Sequence, residues 1–137
     1  AINICYEDVF GNEIASKAKY ISEPNVLVNL SNDAWYGDSI AAEQHLQISQ
    51  ARAIENKKMM IRSTNTGVTA FIDRNGVVLK KLPQFTTGML DNNVQGYAGV
   101  TPYMVFNNLT IYSLCIFILI LYFTRNKLLF FRKLFIK

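Results

Sequence analysis

Three short apolar stretches, each ending in a cluster of polar side chains, constrain this chain most. They are "AINICYED", "NVLVNLSND" and "MMIRSTNTG". In the first, Ile2 and Ile4 alternate with Ala1 and Asn3, which is the period of a strand. Between the first and second, Phe10, Ile14, Ala18 and Ile21 recur at helical spacing until Pro24, with Glu7 and Asp8 expected in that helix's first turn. Between the second and third, a helix is predicted from about Ser39 to Lys58, with Asp38 or Ser39 as cap. Its inner stripe is Ala42, Leu46, Ser49 and Ala53, and Lys57 and Lys58 suit its C-terminal end. "VTAFID", "RNG" and "VVLKKL" then read as a hairpin, with Asn75-Gly76 supplying the positive φ angles of a tight turn. The order β-α-β-α-β-β-β predicts a layered α/β or α+β domain. Polar residues at the C-terminal ends of strands are where such domains place chemistry.

Composition narrows the class. The chain has 137 residues, half of them apolar and 18% charged, which suits one globular domain with a core. Five of the fourteen Lys and Arg residues fall after residue 124: Arg125, Lys127, Arg132, Lys133 and Lys137. The remaining nine face ten acidic residues, so the net charge of +4 is a property of the tail. No nucleic-acid surface is expected on the body. The chain opens on Ala1 without a secretion-signal pattern, and is expected to be a piece of something longer. No C-x-x-C pair or histidine cluster suggests a metal, and no glycine-rich phosphate loop is present.

"LTIYSLCIFILILYF", Leu109 to Phe123, carries no charge. Fifteen helical residues reach only about 22 Å, against a hydrocarbon core of about 30 Å. Adding Tyr103 to Phe106 closes the gap, with Asn107 and Asn108 as a polar pair near one interface. The alternative is a buried core helix. A membrane span is favoured because basic residues follow directly and Tyr103, Tyr112 and Tyr122 suit interfaces. The excess of Lys and Arg after the span places the C-terminus in the cytoplasm, where "LLFFRKLFIK" would lie along the inner leaflet. The predicted organisation is a domain over 1–102, a transmembrane helix over 103–124 and a basic cytoplasmic tail over 125–137. Cys115 lies within the apolar run, and no disulfide with Cys5 is expected.

Cys5 raises the chemical question. Free cysteine is commonly a buried structural residue. Here it stands at a strand end before a helix N-terminus, where thiolates are stabilised. Ser31-Asn32-Asp33 and Thr64-Asn65-Thr66-Gly67 are polar segments able to converge on it. Glu7 and Asp8 work the other way, since nearby negative charge opposes ionisation of a thiol unless a cation offsets it. From the residues alone, nucleophile and structural thiol are evenly balanced. His45, the one histidine, falls on a predicted helix. A Cys–His pair is conceivable, but a single histidine on a helix is more often a surface or packing residue, and His45 is read as that.

"NICYED" together with "NLSNDAWYGDSIAAEQHLQISQARAIENKKMMIRSTNTGVTAFIDRNG" resembles the apolipoprotein N-acyltransferases, membrane members of the nitrilase (carbon–nitrogen hydrolase) superfamily. "TGMLDNNVQGYAGVTPY" and the final apolar run resemble that family's C-terminal end. The resemblance covers the chain up to its last tail. "CYE", "SNDAW-aromatic-G" and "QH" followed by "ARAIE" occur in the family's order. It implies part of a nitrilase-like four-layer α-β-β-α sandwich followed by one transmembrane helix. It also implies a Glu, Lys and Cys triad in which Cys5 is the nucleophile. Cys5 would take an acyl chain from a phospholipid as a thioester and pass it to the N-terminal amine of a diacylglyceryl-cysteine lipoprotein. No cofactor or metal is implied. The implied location is the bacterial inner membrane, with the catalytic domain on the periplasmic side.

The family's Glu and Lys lie upstream of the cysteine, so this chain looks like a C-terminal part that is inactive alone. Glu7 matches a supporting position two residues after the nucleophile and does not fill the place of the base. Tyr6 would shape the site beside Cys5. Asn32 and Trp35 could border the acyl pocket, although a loop Trp often only packs. Asn65 serves the site or only its turn. Arg62 pairs with a carboxylate or with a phosphate head group. Two further readings are a non-catalytic membrane-anchored binding domain and an amidase for small amides.

Overall fold

A computed structural model describes residues 1–20 and 24–135, with side chains for 1–19 and 24–125. The chain forms two compact units, Ala1–Val105 and Phe106–Lys137. In the first unit, β1 (Ile2–Ile4), β2 (Val26–Ser31), β3 (Met59–Thr64), β4 (Thr69–Ile72) and β5 (Val78–Leu82) lie in sequence order in one sheet. β1, β2 and β3 run parallel, and β4 and β5 are antiparallel to their neighbours. Parallel neighbours need long crossovers, and these are α1 (Gly11–Tyr20) and α2 (Ala41–Asn56). The expected element order is therefore present, as a mixed α/β sheet.

One face of the sheet packs into the core. Leu27, Met60, Ala70 and Ile72 meet Ile14 of α1 and Leu46 and Ala53 of α2. All four residues of the predicted stripe on α2 are buried, and His45 and Asn56 are buried with them. On the same face, the register sets Asn3 beside Asn29 and Asn29 beside Arg62, giving a polar row within the sheet. On the opposite face, Ile2, Val28, Ile61 and Phe71 form an apolar row. Ile2 and Ile4 there are 64% and 62% exposed and Val28, Ile61 and Phe71 half-buried, so among the described residues that face is open at β1 and only partly covered further along.

Several local expectations change. α1 does not begin at Glu7; a 3-10 turn over Cys5–Val9 intervenes and α1 starts at Gly11. The reason is side-chain bonding: Glu7 Oε2 accepts the Ile4 N–H at 2.9 Å, and Asp8 is drawn into the core. Ile21, the end of the predicted stripe, lies outside the described residues. α2 starts at Ala41 with Ile40, and not Asp38 or Ser39, at the cap position; Ser39 Oγ accepts only a long bond from Ala41 N–H at 3.4 Å. It ends at Asn56, where Lys57 turns left-handed with φ of 51°. Lys58 leaves the helix and is buried, donating to the carbonyls of Tyr97 and Gly99. In the β4–β5 hairpin, Gly76 has a positive φ of 80° but Asn75 does not. Asp73 Oδ1 instead accepts from Asn75 N–H and Val77 N–H, each at 2.8 Å, and closes a longer loop.

The sequence joined Tyr103–Phe106 to the apolar run, whereas the structure divides them. α3 (Pro102–Phe106) places Met104 in a cluster with Ala15 and Ala18 of the first unit. Asn107, with φ of 48°, ends it. In the second unit, α4 spans Leu109–Phe135. Its uncharged residues, Leu109 to Phe123, are exposed all round. Among the described residues, no helix is long and apolar enough to cross a membrane. The tail's side chains from residue 126 onward lie outside the described residues.

Candidate active site

Because β1, β2 and β3 are parallel, their C-terminal ends share one edge of the sheet. That edge carries Cys5, then Ser31 to Asp33, then Thr64 to Gly67. Cys5 is half-buried and has a φ of 52°. This is the left-handed region, uncommon for a residue with a β-carbon and disfavoured by about 1–3 kcal/mol. The surroundings hold it there. Asn29 Nδ2 donates to the Cys5 carbonyl at 3.0 Å, from the middle of β2. Arg52 Nη1 of α2 donates to the carbonyls of Asp8 and Val9, each at 3.1 Å. Gly11 lets this guanidinium approach, since a β-carbon there would collide with Arg52 and Tyr103. The sulfur of Cys5 lies 3.6 Å from Ser31 Oγ, which lies 2.6 Å from Asp33 Oδ1.

Beneath this elbow is a buried set of charges. His45 Nδ1 meets Asp33 Oδ1 at 3.1 Å, and its Nε2 meets Asp8 Oδ1 at 2.9 Å. Arg62 Nη2 donates to Asp33 Oδ2 at 2.8 Å, and Nη1 donates to Asn29 Oδ1 at 2.8 Å and Ser49 Oγ at 3.0 Å. Ser49 Oγ donates to Asp8 Oδ2 at 2.6 Å. All these side chains are sealed from solvent. Burial alone would raise the Asp33 carboxyl, but hydrogen bonds from His45 and Ser31 and the Arg62 charge hold it at about 2. Burial alone would lower His45, but its hydrogen bonds with Asp33 and Asp8 push it up to about 9. Two carboxylates thus face one imidazolium and one guanidinium. A buried ion group is tolerated when its members satisfy one another in this way.

The structure decides between alternatives at two positions. Of the surface and packing roles open to His45, it takes the buried one, and it is bonded to Asp33 and Asp8 and not to Cys5. With both ring nitrogens donating to carboxylates, the imidazolium has no lone pair with which to take a thiol's proton. Arg62 pairs with a carboxylate inside the core and presents no guanidinium to a phosphate head group.

The remaining residues line the rim. Tyr6 is partly exposed, with its ring 5.0 Å from that of His45 and 5.9 Å from that of Tyr36. Glu7 is held low first by the Ile4 N–H, with Lys17 adding at 3.5 Å. Asn32 Oδ1 accepts from Ala34 N–H at 3.1 Å and from Asn65 Nδ2 at 2.7 Å. Asn65 Oδ1 accepts from Asp33 N–H at 3.1 Å and Thr66 N–H at 2.7 Å, so it builds its own turn and ties it to β2. Trp35, on a 3-10 turn over Ala34–Tyr36, is 85% exposed. Sequence reasoning did not single out Asp8, Asn29, Ser49 or Arg52 as site residues. A signal existed on α2: His45, Ser49 and Arg52 follow at i, i+4 and i+7, one polar stripe facing the elbow.

These features place the chain in a class. Residues 1–103 match the family described as carbon-nitrogen hydrolase, and the chain belongs to that family. Within it, the chain is similar to proteins named apolipoprotein N-acyltransferase. That of Nitrosomonas europaea is 54% identical over 114 residues, 83% of this chain and 22% of that protein. That of Ralstonia nicotianae is 50% identical over 105 residues, 76% and 20%. That of Haemophilus influenzae is 43% identical over 119 residues, 87% and 22%. The chain therefore spans about a fifth of the length of the curated relatives it matches.

Proposed function

We propose that Cys5 is the nucleophile of an N-acyltransferase that matures lipoproteins. The left-handed Cys5 at the edge where three parallel strands end carries this reading. The Cys5 thiolate attacks an ester carbonyl of a phospholipid. The C–O bond breaks, and the lysophospholipid leaves with a proton. The free amine of a diacylglyceryl-cysteine lipoprotein then attacks the thioester. An amide forms, the C–S bond breaks and the thiol is restored. Tyr6 and Glu7 shape the site, and Asn32, Trp35 and Asn65 border the acyl pocket. Arg62 is not carried forward as a substrate contact, because its guanidinium is enclosed.

The base Glu and the oxyanion-binding Lys are assigned to parts of the protein outside these 137 residues. In support, the nearby carboxylates are already occupied: Glu7 by the Ile4 N–H and Lys17, and Asp8 and Asp33 by His45, Ser49 and Arg62. The open apolar face of the sheet is assigned to a second sheet, completing the four-layer α-β-β-α sandwich. α4 is assigned as a membrane span with the catalytic domain on the periplasmic side and the C-terminus in the cytoplasm. In support, its uncharged stretch, Leu109 to Phe123, exposes apolar side chains on every face, as a lipid-facing helix does.

The test uses the intact protein and a phospholipid labelled in its acyl chain. Label should appear on Cys5, be released by neutral hydroxylamine and pass to a lipoprotein amine. Undiminished transfer by Cys5→Ser, or label on another residue, overturns the assignment. Turnover of a water-soluble amide without transfer would make the protein an amidase.

A further inference from the structure

We propose that Ser31 is a second catalytic residue: its hydroxyl accepts the S–H of Cys5 in the resting site and turns to donate to the sulfur once the thiol has lost its proton. This rests on Cys5 being the nucleophile. A serine hydroxyl carries one proton and two lone pairs. Ser31 Oγ lies 2.6 Å from the Asp33 carboxylate and 3.6 Å from the sulfur. The short, charge-assisted contact takes the proton. A lone pair of Ser31 is then left facing Cys5, and the thiol donates to it.

Ionisation reverses the demand. The thiol proton leaves with the base, and the sulfur becomes an acceptor without a donor. The Ser31 proton meets that need by rotation about its Cβ–Oγ bond, with no further transfer. Asp33 is able to release it, because Oδ1 keeps the His45 Nδ1–H at 3.1 Å and Oδ2 keeps Arg62 Nη2 at 2.8 Å. Once the sulfur is acylated and uncharged, the hydroxyl returns to Asp33. It turns again when the amine expels the thiolate. Ser31 therefore serves both halves of the transfer, and Asp33 and His45 act through it as positioning residues.

The other groups around Cys5 do not supply this donor. On its own turn, Glu7 is bound by the Ile4 N–H and Lys17, and Asp8 by His45 and Ser49. The Tyr36 phenol keeps its proton, pushed up to about 12 first by burial and then by Tyr6, but it packs on Tyr6 with ring centroids 5.9 Å apart and makes no hydrogen bond to the sulfur. His45 of α2 and Arg62 of β3 are turned to carboxylates. Among the described residues, Ser31 is the side chain hydrogen-bonded to the sulfur.

The test is alkylation of Cys5 by iodoacetamide as a function of pH, in the intact protein without lipid. Mass spectrometry of the Cys5 peptide excludes Cys115. Ser31→Ala should slow alkylation at pH 7 about tenfold, equivalent to moving the profile about one unit to higher pH. Ser31→Thr, which keeps the hydroxyl, should stay within about twofold of the parent. A Ser31→Ala profile matching the parent, or equal slowing by Ala and Thr, overturns the proposal. A second measurement needs no Ser31 variant: the infrared S–H band, taken as parent minus Cys5→Ala, should lie at the frequency of a donating thiol. A band at the free-thiol frequency overturns it too. A Ser31-dependent profile without an acyl thioester would sink only the acyl-transfer reading. A thioester with a Ser31-independent profile would sink only the role of Ser31.

Discussion

At the scale of single residues, each ring nitrogen of His45 faces a carboxylate, Asp33 at 3.1 Å and Asp8 at 2.9 Å. The folded protein therefore binds the imidazole proton more tightly than the unfolded chain does. With His45 raised from 6.5 to about 9, this stabilisation is complete below about pH 6.5 and is lost as pH rises through about 9. Asp33 runs the opposite way. Held at about 2 rather than 3.8, it contributes fully above about pH 3.8 and is lost as pH falls through about 2. Denaturant midpoints of the intact protein should fall between pH 6.5 and 9, and His45→Gln should lack that slope. A slope unchanged in His45→Gln would show that the charge resides elsewhere. At pH 6, His45→Ala should cost about 3–5 kcal/mol, because it leaves two buried carboxylates facing a single guanidinium.

At the scale of elements, the loop after β3 reaches the buried charges only because residue 67 is glycine. A β-carbon on Gly67 would collide with the Asp33 carboxylate. Gly67→Ala should destabilise the protein by about 1–3 kcal/mol, as overpacking does. It should also slow alkylation of Cys5, since Asp33 orients Ser31. Normal stability and normal alkylation together would show that the loop yields freely. Such close packing is hard to read from sequence, whereas the elements were readable. Period 2 at Ile2 and Ile4 and period 3.6 at Ile14 and Ala18 mark apolar faces, and apolar faces are what sequence patterns report. Polar side chains turned inward were not legible. Asn3, Asn29, His45 and Arg62 resemble solvent-facing residues until their partners, 12 to 37 residues away, are brought alongside. That Glu7 and Asp8 belong to the 3-10 turn over Cys5–Val9 and not to α1 was hidden for the same reason, since Asp8 is placed by α2 and not by its neighbours.

At the scale of the whole molecule, the two faces of the sheet pose different problems. The inner face is closed by α1 and α2. The outer face carries a row from Ile2 through Val28 and Ile61 to Phe71, with Ile4 and Leu30 beside it. Isolated exposed apolar residues are ordinary, but a continuous row across four strands is a surface made for contact. The proposed second sheet makes a sharp prediction for the intact protein. Ile2 is 64% exposed and Val77, in the hairpin loop, is 56% exposed, so the fold of this chain alone treats them alike. If the outer face is open to water, Ile2→Lys and Val77→Lys should each change stability by no more than about 0.5 kcal/mol. If a second sheet covers it, Ile2→Lys buries an unpaired ammonium and should cost more than about 2 kcal/mol, while Val77→Lys stays neutral. Melting of the two variants in detergent decides between these outcomes. Equal melting temperatures would remove the second sheet from this face, and with it the four-layer architecture.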